Sequence, residues 1–312
     1  MSLALVFPGQ GSQAIGMMSA LAADYSIVKD LYVEASDVLG VDLWKMTQEG
    51  PLDQLSQTEN TQPALLVAGV AAWRVWQAQG GATPTMMAGH SLGEYTALVS
   101  AGALNFADGV ALVRDRGRYM QGAVPEGEGG MAAIIGLDGD VVKKVCAEIA
   151  GDDVLQAVNF NAPGQVVIAG TAAAIERAAG AMKEAGAKRA LPLPVSIPAH
   201  SSLMSAASEQ LAERIAGIDM QMPQIPVLHN CNVSYAESAE QVAANLVSQL
   251  DSPVRWVESV EKMQSDGISS FVESGPGKVL SGMIKRIAKG SSVGCIDSPD
   301  AMQAQVALSN EG

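Results

Sequence analysis

The run Thr85-Met86-Met87-Ala88-Gly89-His90-Ser91-Leu92-Gly93-Glu94 decides how this chain is read. Thr85 to Ala88 has the length and apolar character of a short buried strand, and Glu94 to Val99 continues as a helical run. Between them lies Gly89-His90-Ser91-Leu92-Gly93, a GxSxG sequence in the strand-to-helix context it requires. A serine there sits on a strained turn that lifts its hydroxyl out of the sheet, and a side chain at either glycine would collide with neighbouring backbone. The N–H of Leu92, at the start of the helix, then points to where an oxyanion develops. Ser91 is the candidate nucleophile.

Outward from this turn, short apolar runs alternate with longer amphipathic ones, the pattern of an α/β protein with a mainly parallel sheet. Leu3 to Phe7 reads as the first strand, and helices fill much of Met17 to Gln79, among them Pro63 to Gln77 with Thr61 as its cap. From about Gly130 the order changes. Met131–Ile135, Val154–Asn159, Gln165–Ala169 and Arg189–Leu193 read as strands, with helices at Asp140–Ile149 and Thr171–Glu184. This β-α-β-β-α-β order is ferredoxin-like and predicts a small subdomain at 126–195, inserted into a large domain made of 1–125 and 196–312. Linker compositions mark its edges, Pro125-Glu126-Gly127-Glu128-Gly129-Gly130 on one side and Pro192, Pro194 and Pro198 on the other. The large domain then resumes with helix Ser201–Ala216, strand Val227-Leu228, two helices between Ala236 and Gln264, strand Ser270–Val272 and helix Lys278–Lys289.

Composition excludes several functions. The 312 residues carry 33 acidic and 19 basic side chains, a formal charge of −14, which argues against a nucleic-acid partner. Cys146, Cys231 and Cys295 are odd in number and lack CxxC spacing, so no disulfide framework or zinc site is expected. No basic flank precedes Leu3-Ala4-Leu5-Val6-Phe7, and Pro8-Gly9 interrupts that run, so no signal peptide and no membrane association are expected, and the expected location is the cytoplasm.

A serine nucleophile needs a base, and the chain has three histidines, His90, His200 and His229. His90 precedes Ser91, so its side chain points elsewhere and reads as a hydrogen-bonded structural residue. His229 ends the strand Ile225–Leu228. His200 follows Ser196-Ile197-Pro198-Ala199, where the chain leaves the insert for an interdomain cleft, and spacing favours it over His229. On the helix predicted at Ala107–Gln121, Arg116 shares the apolar arc of Val110, Leu112, Val113 and Met120, while Arg114 and Arg118 face roughly the opposite side. A buried arginine needs an anionic partner. Two remain open, an internal carboxylate such as Glu94 and a carboxylate on the substrate. Gly9-Gln10-Gly11-Ser12-Gln13-Ala14 satisfies a relaxed dinucleotide pattern, but Tyr25 to Leu39 continues as helix where that motif needs a second strand. A loop whose Gln10 N–H serves an oxyanion hole accounts for it better.

Taken in order, Phe7-Pro8-Gly9-Gln10-Gly11-Ser12-Gln13, Thr61-Gln62-Pro63-Ala64, Gly89-His90-Ser91-Leu92-Gly93-Glu94, Asn159-Phe160-Asn161-Ala162-Pro163-Gly164-Gln165, Ser196-Ile197-Pro198-Ala199-His200-Ser201 and Glu273-Ser274-Gly275-Pro276-Gly277 resemble the malonyl-CoA:acyl carrier protein transacylases of fatty acid synthesis. The resemblance runs from Phe7 to about Arg286. It implies a hydrolase-like large domain with a ferredoxin-like insert, malonyl-CoA and acyl carrier protein as partners, and no metal or redox cofactor. It further implies Ser91 as nucleophile, His200 as base, the Gln249 carbonyl as its orienting group, Gln10 and Leu92 as oxyanion donors and Arg116 as holder of the malonyl carboxylate. Against it stand a GxSxG esterase or thioesterase, whose histidine ordinarily comes late in the chain, a malonyl-selective acyltransferase of a polyketide pathway, and an inactive carrier-binding module. Carrier proteins are acidic, so Lys188-Arg189 and Lys285-Arg286-Lys289 are the basic clusters to consider for docking.

Overall fold

A computed structural model describes residues 2–195 and 197–311; Ser196, with the domain boundary drawn at it, lies outside the described residues. In chain order the strands are β1 (Leu3–Phe7), β2 (Met86–Gly89), β3 (Gly129–Ile135), β4 (Leu155–Ala162), β5 (Gln165–Thr171), β6 (Arg189–Pro192), β7 (Val227–Leu228), β8 (Ser270–Glu273) and β9 (Ser292–Cys295). Five of them form one parallel sheet in the order β7-β2-β1-β8-β9. Register sets Phe7 beside Gly89 and Val6 beside Glu273, so the loops leaving β1, β2 and β8 share one edge of the sheet.

A parallel sheet is covered on both faces, because its crossover connections are helices. β1 shows the consequence, buried along its whole length. Leu3, Leu5 and Phe7 join one apolar cluster, with helix Thr58–Ala78, while Ala4 and Val6 join another with Trp256 and Phe271. Alternate side chains of one strand thus anchor the two opposite helical layers.

The remaining strands form an antiparallel sheet in the order β4-β5-β3-β6, the ferredoxin-like arrangement. Helices Gly139–Ile149 and Ala172–Glu184 cover one face through Val142, Val145, Ala174, Ala178 and Met182. Met131, Val158, Val167 and Ala169 lie on the other, with Leu193 and Ala199 packed against them. The small sheet is tied at β4 to the segment before helix Trp256–Ser265, where Phe160 N donates to Val254 O at 3.0 Å and Val254 N to Val158 O at 2.8 Å.

Two expectations change. Thr61 does not cap its helix, which spans Thr58–Ala78 with Gln57 at the N-cap, and Thr61 Oγ1 instead donates to Leu55 O at 2.5 Å. Pro63 suggests a helix start in the sequence, but it lies inside the helix as its sixth residue, where its missing N–H forgoes one intrahelical hydrogen bond. The parallel sheet also gains a strand past the helix expected at Lys278–Lys289, edge strand β9, and helix Pro299–Asn310 follows it. Ser-Val-Gly-Cys is short and only partly buried, so it carries little strand signal, but Ser298-Pro299 is a helix-start signature that sequence alone could have read. No helix among the described residues is long and apolar enough to cross a membrane.

Candidate active site

β2 delivers the chain into the GxSxG turn at its C-terminal end, and Ser91 there holds φ 51° and ψ −109°. A non-glycine residue at positive φ is strained, and such strain persists where the surroundings over-determine it. A Cβ on Gly89 would stand 1.9 Å from Gly93 C, and one on Gly93 would stand 2.0 Å from Phe7 O, so the turn closes only with glycine at both places. Asn230 grips it from outside. Ser91 N donates to Asn230 Oδ1 at 2.7 Å, and Asn230 Nδ2 donates to Gly89 O at 2.7 Å. Helix Leu92–Ser100 begins immediately after. The Leu92 and Gln10 N–H groups have no acceptor among the described residues, and both residues line the same cavity.

His200 also holds positive φ, at 64°, on the loop that leaves the small sheet. This aims Nε2 at Ser91 Oγ, 2.8 Å away, while Nδ1 lies 2.8 Å from the main-chain oxygen of Gln249. A carbonyl can only accept, so the proton sits on Nδ1 and Nε2 presents its lone pair to the serine hydroxyl. Burial, and then the charge of Arg116, push the imidazole pKa down to about 3, so it is neutral at neutral pH.

Arg116 lies on helix Phe106–Gly122 and is 1% exposed. Its Nη1 donates to Gln62 Oε1 at 2.9 Å, and its Nη2 donates to Gln249 Oε1 at 2.9 Å and to Ser91 Oγ at 3.1 Å. The ring of Tyr95 lies below, 5.1 Å from Cζ, and Nε has no acceptor among the described residues. Each oxygen it meets is neutral, and burial draws its pKa below the ordinary guanidinium value. The internal salt bridge to Glu94 does not form. Glu94 accepts instead from His229 Nδ1 at 2.7 Å, Asn230 N at 2.9 Å and Gln249 Nε2 at 2.9 Å. A desolvated cation among neutral acceptors, beside a serine hydroxyl, is a site for a small anionic group.

Arg114 and Arg118 turn outward, to Leu39 O and to Glu59 Oε2. His229 is fully buried behind the turn, away from Ser91. His90 bonds through Nε2 to Asn161 Oδ1 at 2.8 Å, joining the nucleophile turn to β4. Sequence reasoning assigned no role to Gln62, Tyr95, Asn161 or Asn230. Gln62 and Asn161 sit inside quoted motifs, a usable signal; Asn230 has none beyond following His229.

These groups open on a cavity of about 340 Å³ between the two sheets. Gln10, Ser91 and Arg116 line it from the large sheet's side, and Met131, Asn159 and Leu193 from the small sheet's side. The neutral base, the strained serine, the two free N–H groups and the buried guanidinium suit acyl transfer of a carboxylate-bearing acyl group.

The acyl transferase domain model matches residues 4–301. The chain is 54% identical to the malonyl CoA-acyl carrier protein transacylase of Salmonella typhimurium over 301 residues, 96% of this chain and 97% of that one. To the Escherichia coli K12 protein of the same name it is 53% identical over 305 residues, 98% and 99% of the two chains. A solved malonyl-transacylase in complex with a type II PKS acyl-carrier protein superposes with a TM-score of 0.98 at 49% identity, covering 99% of this chain and 100% of that one. By sequence and by fold, the chain belongs to the malonyl CoA-acyl carrier protein transacylase family of acyl transferases.

Proposed function

We propose that this protein moves a malonyl group from malonyl-CoA to the phosphopantetheine thiol of acyl carrier protein, in fatty acid biosynthesis, through a malonyl-serine intermediate. The observation that carries this reading is Arg116, whose buried guanidinium stands 3.1 Å from the Ser91 hydroxyl and meets only neutral oxygens. A malonyl carboxylate pairs with it in two parallel hydrogen bonds, which sets the thioester carbonyl over Ser91. Family membership supports the same substrates.

Ser91 Oγ attacks the thioester carbon as His200 Nε2 takes its proton. The Gln10 and Leu92 N–H groups hold the oxyanion, the C–S bond breaks, and His200 returns the proton to the coenzyme A sulfur. In the second half the carrier thiol gives its proton to His200 and attacks the ester carbon; the C–O bond breaks and Ser91 Oγ recovers the proton. The carbonyl of Gln249 keeps the imidazole in one tautomer throughout, the role an acid plays in other triads. No metal or redox group enters this scheme, and the compartment that fits it is the cytoplasm. Residues 126–195 act in it as a subdomain that forms one wall of the substrate cleft.

Intact-mass measurement after malonyl-CoA treatment tests the reading. One malonyl adduct, mapped to the peptide that holds Ser91 and absent from Ser91→Ala, is the expected result. An adduct that persists in Ser91→Ala, or release of malonate with no adduct, overturns it.

A further inference from the structure

Glu94 is fully buried and does not line the cavity, yet hydrogen bonds join it to Gln249 and Asn230, which in turn hold Arg116, His200 and the Ser91 turn. We propose that Glu94 is a positioning residue whose carboxylate orients the Gln249 carboxamide, so that Arg116 faces an acceptor and its guanidinium is held in place for the malonyl carboxylate. The inference rests on the malonyl-transfer reading and adds a residue to it.

A carboxamide offers an acceptor at one end and two donors at the other. One end of the Gln249 carboxamide lies 2.9 Å from Glu94 Oε2 and 3.0 Å from Ser91 O. Both partners are acceptors only, so the NH₂ belongs there and Oε1 turns to Arg116 Nη2, 2.9 Å away. Reversed, the group would set donor against donor at Arg116 and oxygen against oxygen at Glu94, among side chains that are almost wholly buried. Glu94 itself cannot turn away, because His229 Nδ1 holds Oε1 and Asn230 N holds Oε2. Through Gln249 and Asn230 this one carboxylate reaches the specificity cation, the base and the nucleophile turn, without touching a reacting atom.

The acceptor at Oε2 is what the geometry uses, which separates orientation from charge. In Glu94→Gln the amide oxygen takes the Oε2 place and keeps both Asn230 N and Gln249 Nε2. The new NH₂ then faces His229 Nδ1, and that imidazole accepts it by moving its proton to Nε2, an atom with no partner among the described residues. Glu94→Gln therefore retains most of the selectivity. Glu94→Met, of similar length and unable to accept, releases the Gln249 carboxamide.

The measurement is kcat and KM for malonyl-CoA and acetyl-CoA in wild type, Glu94→Gln and Glu94→Met, with a thermal melt of each. In Glu94→Met, kcat/KM for malonyl-CoA falls about 10- to 100-fold, mainly through KM, while acetyl transfer changes less than about threefold. Glu94→Gln stays within about threefold of wild type for both. An unchanged malonyl-to-acetyl ratio in Glu94→Met, or an equal loss in Glu94→Gln, overturns the proposal. If Glu94→Met does not fold, Gln249→Met decides: it keeps the main-chain carbonyl on His200 and removes the carboxamide, and an unchanged ratio in it overturns the relay. Wild type that transfers no malonyl group overturns both readings; wild type that transfers it with an unmoved ratio in the variants overturns this one alone.

Discussion

Two helices start at the same edge of the parallel sheet, on strands that flank β1, and their N-termini are used in opposite ways. After β8, Glu273 folds its carboxylate back onto helix Val279–Ile287, accepting from Leu280 N at 3.0 Å and Ser281 N at 2.7 Å. After β2, helix Leu92–Ser100 leaves the Leu92 N–H without an acceptor among the described residues, beside a serine held at φ 51°. A helix start carries unsatisfied donors and partial positive charge in either case. One end is filled by the protein's own anion and stabilises the fold. In the mechanism proposed above, the other is kept free for an oxyanion that exists only during the reaction. The carboxylate near it, Glu94, faces away from the cavity and supports the site from behind.

The free end is broken most severely by removing its cation. Arg116→Ala should lower malonyl transfer by about 2–5 kcal/mol, roughly 30- to several-thousand-fold, since the substrate carboxylate then enters a desolvated site unpaired. Acetyl transfer should fall far less or rise, and the ratio of kcat/KM for the two substrates measures this. A melting temperature that drops while the ratio stays level would assign Arg116 to the filled, structural kind of end.

At the filled end the effect should be smaller and of the other type. Glu273→Gln sets an NH₂ against one of the two backbone donors, costing about 1–3 kcal/mol of unfolding free energy in a denaturant titration. Turnover per folded molecule should not change; a selective loss of malonyl transfer would erase the distinction between the ends.

The smallest effect is an expected flatness. With His200 pushed down to about 3 in the free enzyme, kcat/KM should stay within about twofold from about pH 7 to about pH 5, where an ordinary histidine would lose roughly 25-fold. The stability consequence has a definite sign: the unfolded chain takes this proton near the usual histidine value and the folded site does not, so stability falls as pH drops from there towards about 3. Arg116→Ala should raise the acid limb, because it removes the second cause of the depression. A limb near the ordinary value in wild type would show that His200 stands in a wet, uncharged setting.

Local pattern made a good part of this legible. The GxSxG turn between an apolar run and a helix, and the β-α-β-β-α-β order of the insert, are short-range signals, and the helices and strands stand close to where they were expected. Arg116 on an apolar helical arc was likewise visible from periodicity, and the structure buries it to 1% exposure. What was missed was of two kinds. β9 is an edge strand with little apolar character, paired only because β8 lies beside it. Asn230 and the carboxamides of Gln62 and Gln249 are ordinary polar residues until folding buries them.

By itself, then, the sequence determined the local turn at Ser91, the order of elements and the face on which Arg116 lies, since each follows from backbone sterics or helical phase over a few residues. Only the tertiary structure decided who meets Arg116 and Glu94. Glu94 pairs with His229, 135 positions away, and Arg116 with Gln249, 133 away, so whether the two charges meet in an internal salt bridge could not be read in one dimension. The physical reason is that a buried charge takes whichever partners packing brings within about 3 Å, and that packing is a property of the whole core.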